Sequence, residues 1–358
     1  MKKLIAVFLC ITSAFLFAPC AQALSVSAES AVLIEAESGN IIYEKNSHTK
    51  RGMASTTKIV TALCAIESMD ISTVVTVPRA AVGIEGSSVY LREGEKITLE
   101  NLLYALMLGS ANDAAAAIAI AVSGSVEAFA ELMNAKAAAL GLSATHFENP
   151  HGLDGEAHYT TAYELAKLSA YALENETFAR IVSTVKHTIP ASEASPARTL
   201  VNHNRLLREY GDIIGVKTGF TKKCGRTLVS AARRDGVTLV CVTLCDGNDW
   251  RDHRAMLDYG FGLYESETLC RAGALCFELP VTGGERASVT CANKEELCAV
   301  LPKNHGEISV KTELPSFIYA GSKKGKPVGR ARFFCGGREL GSVTLYLAED
   351  APKKESKK

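Results

Sequence analysis

The 358-residue sequence has no excess of charge: 39 Lys and Arg stand against 39 Asp and Glu. No global field is available to hold nucleic acid or to steer toward polyanions, so no nucleic-acid partner is expected. There is no Cys-x-x-Cys, and His151 with His158 fits no familiar metal spacing, so neither a metal nor another cofactor is expected. None of the eight histidines sits in a Ser-His-Asp context. Beyond the N-terminal segment no run is long and apolar enough to span a bilayer. Internal repeats and low-complexity tracts are lacking as well. What remains, 47% hydrophobic and 22% charged, is an ordinary globular composition. At about 100–200 residues per domain, the length predicts two units.

The first residues set the compartment. Lys2 and Lys3 precede an apolar run from Leu4 to Ala18, and Ala21-Gln22-Ala23 places small residues around a polar one. This is the pattern of a cleaved secretory signal peptide over residues 1–23, with the mature chain starting near Leu24. Pro19 before Cys20 is a poor fit to a lipid-attachment site. Of the 11 cysteines, Cys10 and Cys20 fall in this leader, which leaves an odd number. Export permits disulfides, but a domain of this size does not need them, so buried thiols are expected. The stretch from Cys270 to Cys335 is where a disulfide would form if one does.

The mature chain opens as a hairpin from Ala31 to Tyr43 around Ser38-Gly39-Asn40. A helix is predicted from Ser55, then a strand from Thr73 to Val77. Leu99 to Val122 reads as two helices broken at Gly109-Ser110-Ala111-Asn112, and Val126 to Leu140 and Ala162 to Leu173 add two more. Strand texture returns at Ile213–Thr218, Thr227–Ala232 and Val237–Leu244, with Asp235-Gly236 as a hairpin turn, and Asp252–Phe261 closes as a helix. Strands at both ends with helices between predict an α/β (α+β) fold: one antiparallel sheet covered by helices, with a helical lobe. Residues 24–264 form this unit. Residues 265–348, short β runs with Gly283-Gly284 and Gly336-Gly337 turns, form a small all-β domain. The charged segment 349–358 reads as a solvated tail, and membrane association as at most peripheral.

Three short motifs carry chemistry. Ser55-Thr56-Thr57-Lys58 places a hydroxyl and an amine three positions apart at a helix start, on one face. Lys58 serves as a base only when neutral, which burial or a nearby cation promotes. Ser110-Ala111-Asn112 presents a hydroxyl and a carboxamide at a helix junction, where a helix cap is the plain alternative. Lys217-Thr218-Gly219 ends a strand, where Gly219 lets a ligand backbone come close. Each alone is weak; together, in that order, in an exported chain, they are specific.

On these residues the chain resembles the serine-type D-alanyl-D-alanine carboxypeptidases, the low-molecular-mass penicillin-binding proteins. Asn149-Pro150-His151-Gly152-Leu153-Asp154, Tyr159-Thr160-Thr161-Ala162 and Asn202-His203-Asn204-Arg205-Leu206-Leu207 look like further stretches of that family. The resemblance covers about Ala31 to Phe261; the β-rich part matches the family's second domain in position and texture only. It implies a penicillin-binding and β-lactamase-like fold. It implies that Ser55 is the nucleophile, that Lys58 takes its proton, and that Ser110 passes a proton to the leaving D-alanine. Asn112 would hold the substrate's amides, and Lys217 and Thr218 its terminal carboxylate. The N–H groups of Ser55 and Phe220 would form the oxyanion hole beside Gly219. Arg251 would add positive charge near the carboxylate, with a plain surface position as its alternative. The implied substrate is a peptidoglycan stem peptide ending in D-Ala-D-Ala, with β-lactams as covalent inhibitors, at the extracytoplasmic cell envelope. Lys222-Lys223-Cys224-Gly225-Arg226 departs from the small and apolar residues expected after the third motif, which puts substrate preference in question.

Three other readings compete. A class A β-lactamase would need a Glu aimed at a deacylating water, for which Glu164 and Glu174 are available. An endopeptidase acting on crosslinks would use the same residues. An idle cell-wall binding protein would capture acyl-D-alanyl ends without turnover.

Overall fold

The computed structural model describes residues 24–354. The leader read at residues 1–23 lies outside the described residues, as does the end of the tail.

A five-stranded, wholly antiparallel sheet is the centre of the first unit. Its strands are β1 (Ser30–Glu35), β2 (Ile41–Lys45), β3 (Ile213–Thr221), β4 (Gly225–Arg234) and β5 (Val237–Leu244), in the spatial order β2-β1-β5-β4-β3. The first two strands precede the helical lobe in sequence and pair through β1 with β5, which follows it. Alternation along β1 sends Val32 and Ile34 into the larger core and Ala31 and Leu33 into the other. Both faces of the sheet are therefore covered, as the apolar runs of β4 and β5 require.

On one face lies the helical lobe: α1 (Lys58–Ser68), α2 (Leu99–Met107), α3 (Asn112–Ser123), α4 (Val126–Ala139), α5 (Ala162–Leu173) and α6 (Glu176–Ser183). Helix α3 is buried from Asn112 through Ala119. Its run Ala114–Ala117 has side chains small enough for neighbours to pack on every side. The other face is closed by α7 (Asp249–Leu263), through Met256, Leu257 and Phe261. Helix α6 and a ribbon of Lys186–Ile189 with Arg198–Val201 were not foreseen in the sequence. That helix is eight residues long and buries only Phe178, Ile181 and Val182.

Helix α7 runs directly into the C-terminal unit, which is all β: Tyr264–Cys270 pairs with Leu297–Pro302, and a six-stranded sheet holds the rest. Lys303 Nζ reaches back to the Phe261 carbonyl. The tail does not begin at residue 349. Ala351 is buried in the small β core, and its N–H and C=O pair with Ser322 and Gly321, so the chain leaves this unit only beyond it. All nine described cysteines are unpaired: Cys276 and Cys298 are exposed, while Cys64, Cys224, Cys241, Cys270 and Cys291 are buried.

Candidate active site

The lobe and the edge strand β3 meet along a cleft of about 330 Å³ lined by Ser55, Ser110, His203, Thr218, Phe220 and Arg226, among others. Ser55 sits on a single 3-10 turn, Ala54–Thr57, that runs straight into α1. The first eight residues of α1 are all buried, so the helix carries Lys58 into the interior with it. Lys58 is fully buried, and its Nζ has three oxygen neighbours: Ser55 Oγ at 2.9 Å, Asn112 Oδ1 at 2.7 Å and the His151 carbonyl at 2.5 Å.

Two of those neighbours are carbonyl oxygens, which only accept. A neutral amine has two N–H donors and one lone pair, so the donors go to Asn112 and His151 and the lone pair is left for the Ser55 hydroxyl. Burial, and after it the charge of Lys217, hold Lys58 well below the ordinary lysine range. The site thus favours the protonation state in which Lys58 accepts from Ser55.

Ser110 stands between α2 and α3 with φ of +56°, a left-handed conformation that costs a residue with a Cβ. That turn aims its hydroxyl at Lys217, whose Nζ donates to Ser110 Oγ at 3.0 Å. Lys217 is buried, and burial pushes its ammonium down to about 7. Asn112, the first residue of α3, is held by its Nδ2 donating to the Glu85 carbonyl at 2.5 Å. The loop that supplies this carbonyl is itself tied to α3. Buried Asp113 accepts from Ser88 Oγ at 2.6 Å and from the N–H groups of Val89 and Leu91.

Lys217 is buried against Ser110 and Thr218 lines the cleft, and the strand continues past the third motif to Thr221 instead of ending there. At Gly219 a Cβ would lie 2.9 Å from the Ser55 N and 2.4 Å from Thr227 Oγ1. Only glycine lets β3 pass this close to the serine's amide. Phe220 follows on the same strand, 64% exposed at the cleft rim.

Arg251 is not brought into the cleft. Its side chain is 73% exposed and leans on Asp252 at 3.3 Å. It is one step round α7 from Trp250, which does line the cleft, and about 100° per residue turns it away. The arginine that reaches the cleft is Arg226, directly opposite Phe220 on β4 and bidentate to Asp249 at 3.0 Å through both nitrogens. Its position after the third motif was already the visible departure in the sequence. His203 was missed. Its neighbours face inward, Asn202 to the carbonyls of Val182 and Thr184 and Asn204 to that of Gly215, which leaves His203 on the cleft side.

The carboxylates available for a β-lactamase-type water are committed elsewhere. Glu164 accepts from Ala144 N and Thr145 Oγ1, Glu174 lines a different cavity, and Asp249 is the one carboxylate among the described cleft residues. The same residues hold no cluster of three or more metal ligands.

Residues 18–248 match the D-alanyl-D-alanine carboxypeptidase family, and residues 264–353 match the C-terminal domain of penicillin-binding protein 5. The chain belongs to the D-alanyl-D-alanine carboxypeptidase family. The Bacillus subtilis carboxypeptidase DacF is 31% identical to it over 99% of this chain and 95% of that one. The carboxypeptidase of Streptomyces sp. K15 is 36% identical over 63% of this chain and 84% of its own. Among solved structures, penicillin-binding protein 5 of Haemophilus influenzae superposes with a TM-score of 0.68 at 26% identity, covering 92% of this chain and 98% of that one. This carboxypeptidase is accordingly a serine-type hydrolase with the penicillin-binding protein 5 fold, an antiparallel sheet with helices and a C-terminal all-β unit.

Proposed function

We propose that this carboxypeptidase is exported and removes the terminal D-alanine from peptidoglycan stem peptides through an acyl-enzyme on Ser55, and that β-lactams acylate the same serine. The observation that carries the reading is the environment of Lys58: two carbonyl acceptors and a hydroxyl around one buried, depressed amine.

Ser55 Oγ attacks the carbonyl between the two D-alanines as its proton passes to Lys58. The oxyanion forms against the N–H groups of Ser55 and Phe220, in the space Gly219 keeps open. Ser110, held by Lys217, passes its hydroxyl proton to the departing D-alanine nitrogen and recovers one from Lys58, which is thereby neutral again. Charged Lys217 and the Thr218 hydroxyl receive the free carboxylate, which selects a chain end. Asn112 orients the substrate's amide groups. Water then attacks the ester, and Lys58 serves again as the base. The leader at residues 1–23 supports action on the outer side of the cytoplasmic membrane, where the substrate lies. Residues 24–264 supply the catalytic unit.

The test is intact-protein mass after incubation with a fluorescent penicillin, run beside Ser55→Ala, together with D-alanine release from a diacyl-D-Ala-D-Ala tripeptide. A one-to-one adduct on wild type alone, with D-alanine released, is the expected result. Rapid penicillin hydrolysis without a lasting adduct would point to a β-lactamase, and saturable tripeptide binding without release to an idle binder.

A further inference from the structure

We infer that His158 is a positioning residue for the reaction at Ser55: through Thr57 it fixes the carbonyl of Ala54 and so the direction of the Ser55 N–H. The inference rests on the reading of Ser55 as nucleophile. It concerns a residue that does not line the cleft. His158 is buried behind the serine turn and borders a separate cavity of about 440 Å³ with Arg51, Asp154 and Cys224.

The direction of each hydrogen bond follows from the chemistry of its partners. His158 Nδ1 lies 3.0 Å from the backbone N–H of Glu148, which can only donate. Nδ1 is therefore the acceptor and carries no proton. The ring's one proton is then on Nε2, 2.7 Å from Thr57 Oγ1. Thr57 accepts there, and its own proton goes to the Ala54 carbonyl at 2.8 Å. A doubly protonated ring would break this order at its Nδ1 end. Burial first, and then the charges of His146 and Lys58, push the imidazole down to about 4 against the opposing carboxylate of Asp154. The neutral tautomer thus persists through the neutral range.

The carbonyl at the end of this relay matters because of where it sits. Ala54 has φ of +48°, so the turn before the nucleophile is held in a conformation its own sequence disfavours. Its C=O and the N–H of Ser55 belong to one peptide plane and point in opposite directions. Anchoring the carbonyl on the buried side therefore aims the N–H at the space beside Gly219. Gly152 closes the carbonyl in from the same side, since a Cβ there would stand 2.0 Å from the Ala54 oxygen. Removing the Thr57 hydroxyl or the His158 donor frees this peptide to rotate, and the donor for the oxyanion loses its aim.

The experiment measures the second-order rate of acylation by a fluorescent penicillin, per folded molecule, alongside kcat and KM for D-alanine release and Tm. Wild type and Ser55→Ala are compared with Thr57→Val, Thr57→Ser, His158→Phe and the Thr57→Val/His158→Phe double variant. Thr57→Val and His158→Phe should each slow acylation roughly tenfold, with KM nearly unchanged. The double variant should be no slower than either, and Thr57→Ser should stay within about twofold of wild type. His158→Phe keeps a ring against Phe147, and Thr57→Val loses only a hydroxyl, so a folded protein is available for at least one of them. With wild type acylated and Ser55→Ala not, unchanged acylation in both single variants overturns the relay alone. Losses that multiply in the double variant overturn it too. An unacylated wild type overturns it together with the reading of Ser55 on which it rests.

Discussion

Lys217 Nζ donates to Ser110 Oγ at 3.0 Å, a buried contact that joins the edge of the sheet to the turn between two lobe helices. It gives Ser110 an oriented hydroxyl in the cleft although, among the described residues, no carboxylate or imidazole bonds to it. Ser110→Ala should leave the fold intact and lower kcat for D-alanine release by roughly 10²–10⁴, the usual contribution of positioned proton transfer. Circular dichroism and steady-state kinetics check this together; near-normal turnover would remove Ser110 from the reaction.

The two lysines predict the pH dependence. Acylation needs Lys58 neutral and Lys217 charged, so its rate should rise as pH climbs through the depressed Lys58 value and fall as pH climbs through about 7. Lys217→Met removes the second cation that holds Lys58 down, so the rising limb should move to higher pH. A rising limb that stays in place in this variant would show that burial alone sets Lys58.

The same depressed values carry a cost in stability with a definite sign. From about 7 up to the ordinary lysine value near ~10.4, the unfolded chain binds a proton at position 217 that the folded chain has released. This group's contribution therefore grows more favourable as pH rises across that window, and its cost is full below about 7. Lys217→Met should be more stable than wild type by urea unfolding, with the gain largest at pH 6–7 and shrinking toward pH ~10. A gain that does not change with pH would contradict the burial argument.

At Gly219 the prediction is steric. An alanine Cβ 2.9 Å from the Ser55 N and 2.4 Å from Thr227 Oγ1 must push β3 away from the serine turn. Gly219→Ala should reduce acylation by about 10²–10³, the scale of a lost oxyanion donor, while the protein stays folded. Penicillin labelling rates measure it directly.

Arg226 and Arg251 separate by position. Arg226 lines the cleft, whereas Arg251 is exposed on the outer side of α7. Arg226→Ala should raise KM for a carboxylate-ended peptide severalfold, and Arg251→Ala should leave kcat and KM within about twofold of wild type. A larger effect of Arg251→Ala would return that residue to the substrate.

Much of this protein is written locally. The hairpin at Ser38-Gly39-Asn40, the break at Gly109–Asn112 between two helices and the Asp235-Gly236 turn are set by residues that tolerate positive φ or interrupt a helix, and the structure has elements on either side of each. The order of the three motifs and the family follow from the same short-range pattern. Helix α6 was hidden because an eight-residue helix burying only Phe178, Ile181 and Val182 is too short for its periodicity to stand out. What the sequence alone did not decide is which side chains meet. The amine of Lys58 is held down by its burial and by Lys217, while a carbonyl at position 151 and a carboxamide at position 112 take its two donors. Arg226 displaced Arg251 because strand register and helix phase, not distance along the chain, choose the residue that faces the cleft. The relay from His158 to Ala54 spans 101 positions at its His158–Thr57 step. Local pattern determines turns and helices because those depend on neighbours in sequence, whereas depressed pKa values and aimed donors depend on burial and distance, which exist only once the chain has packed.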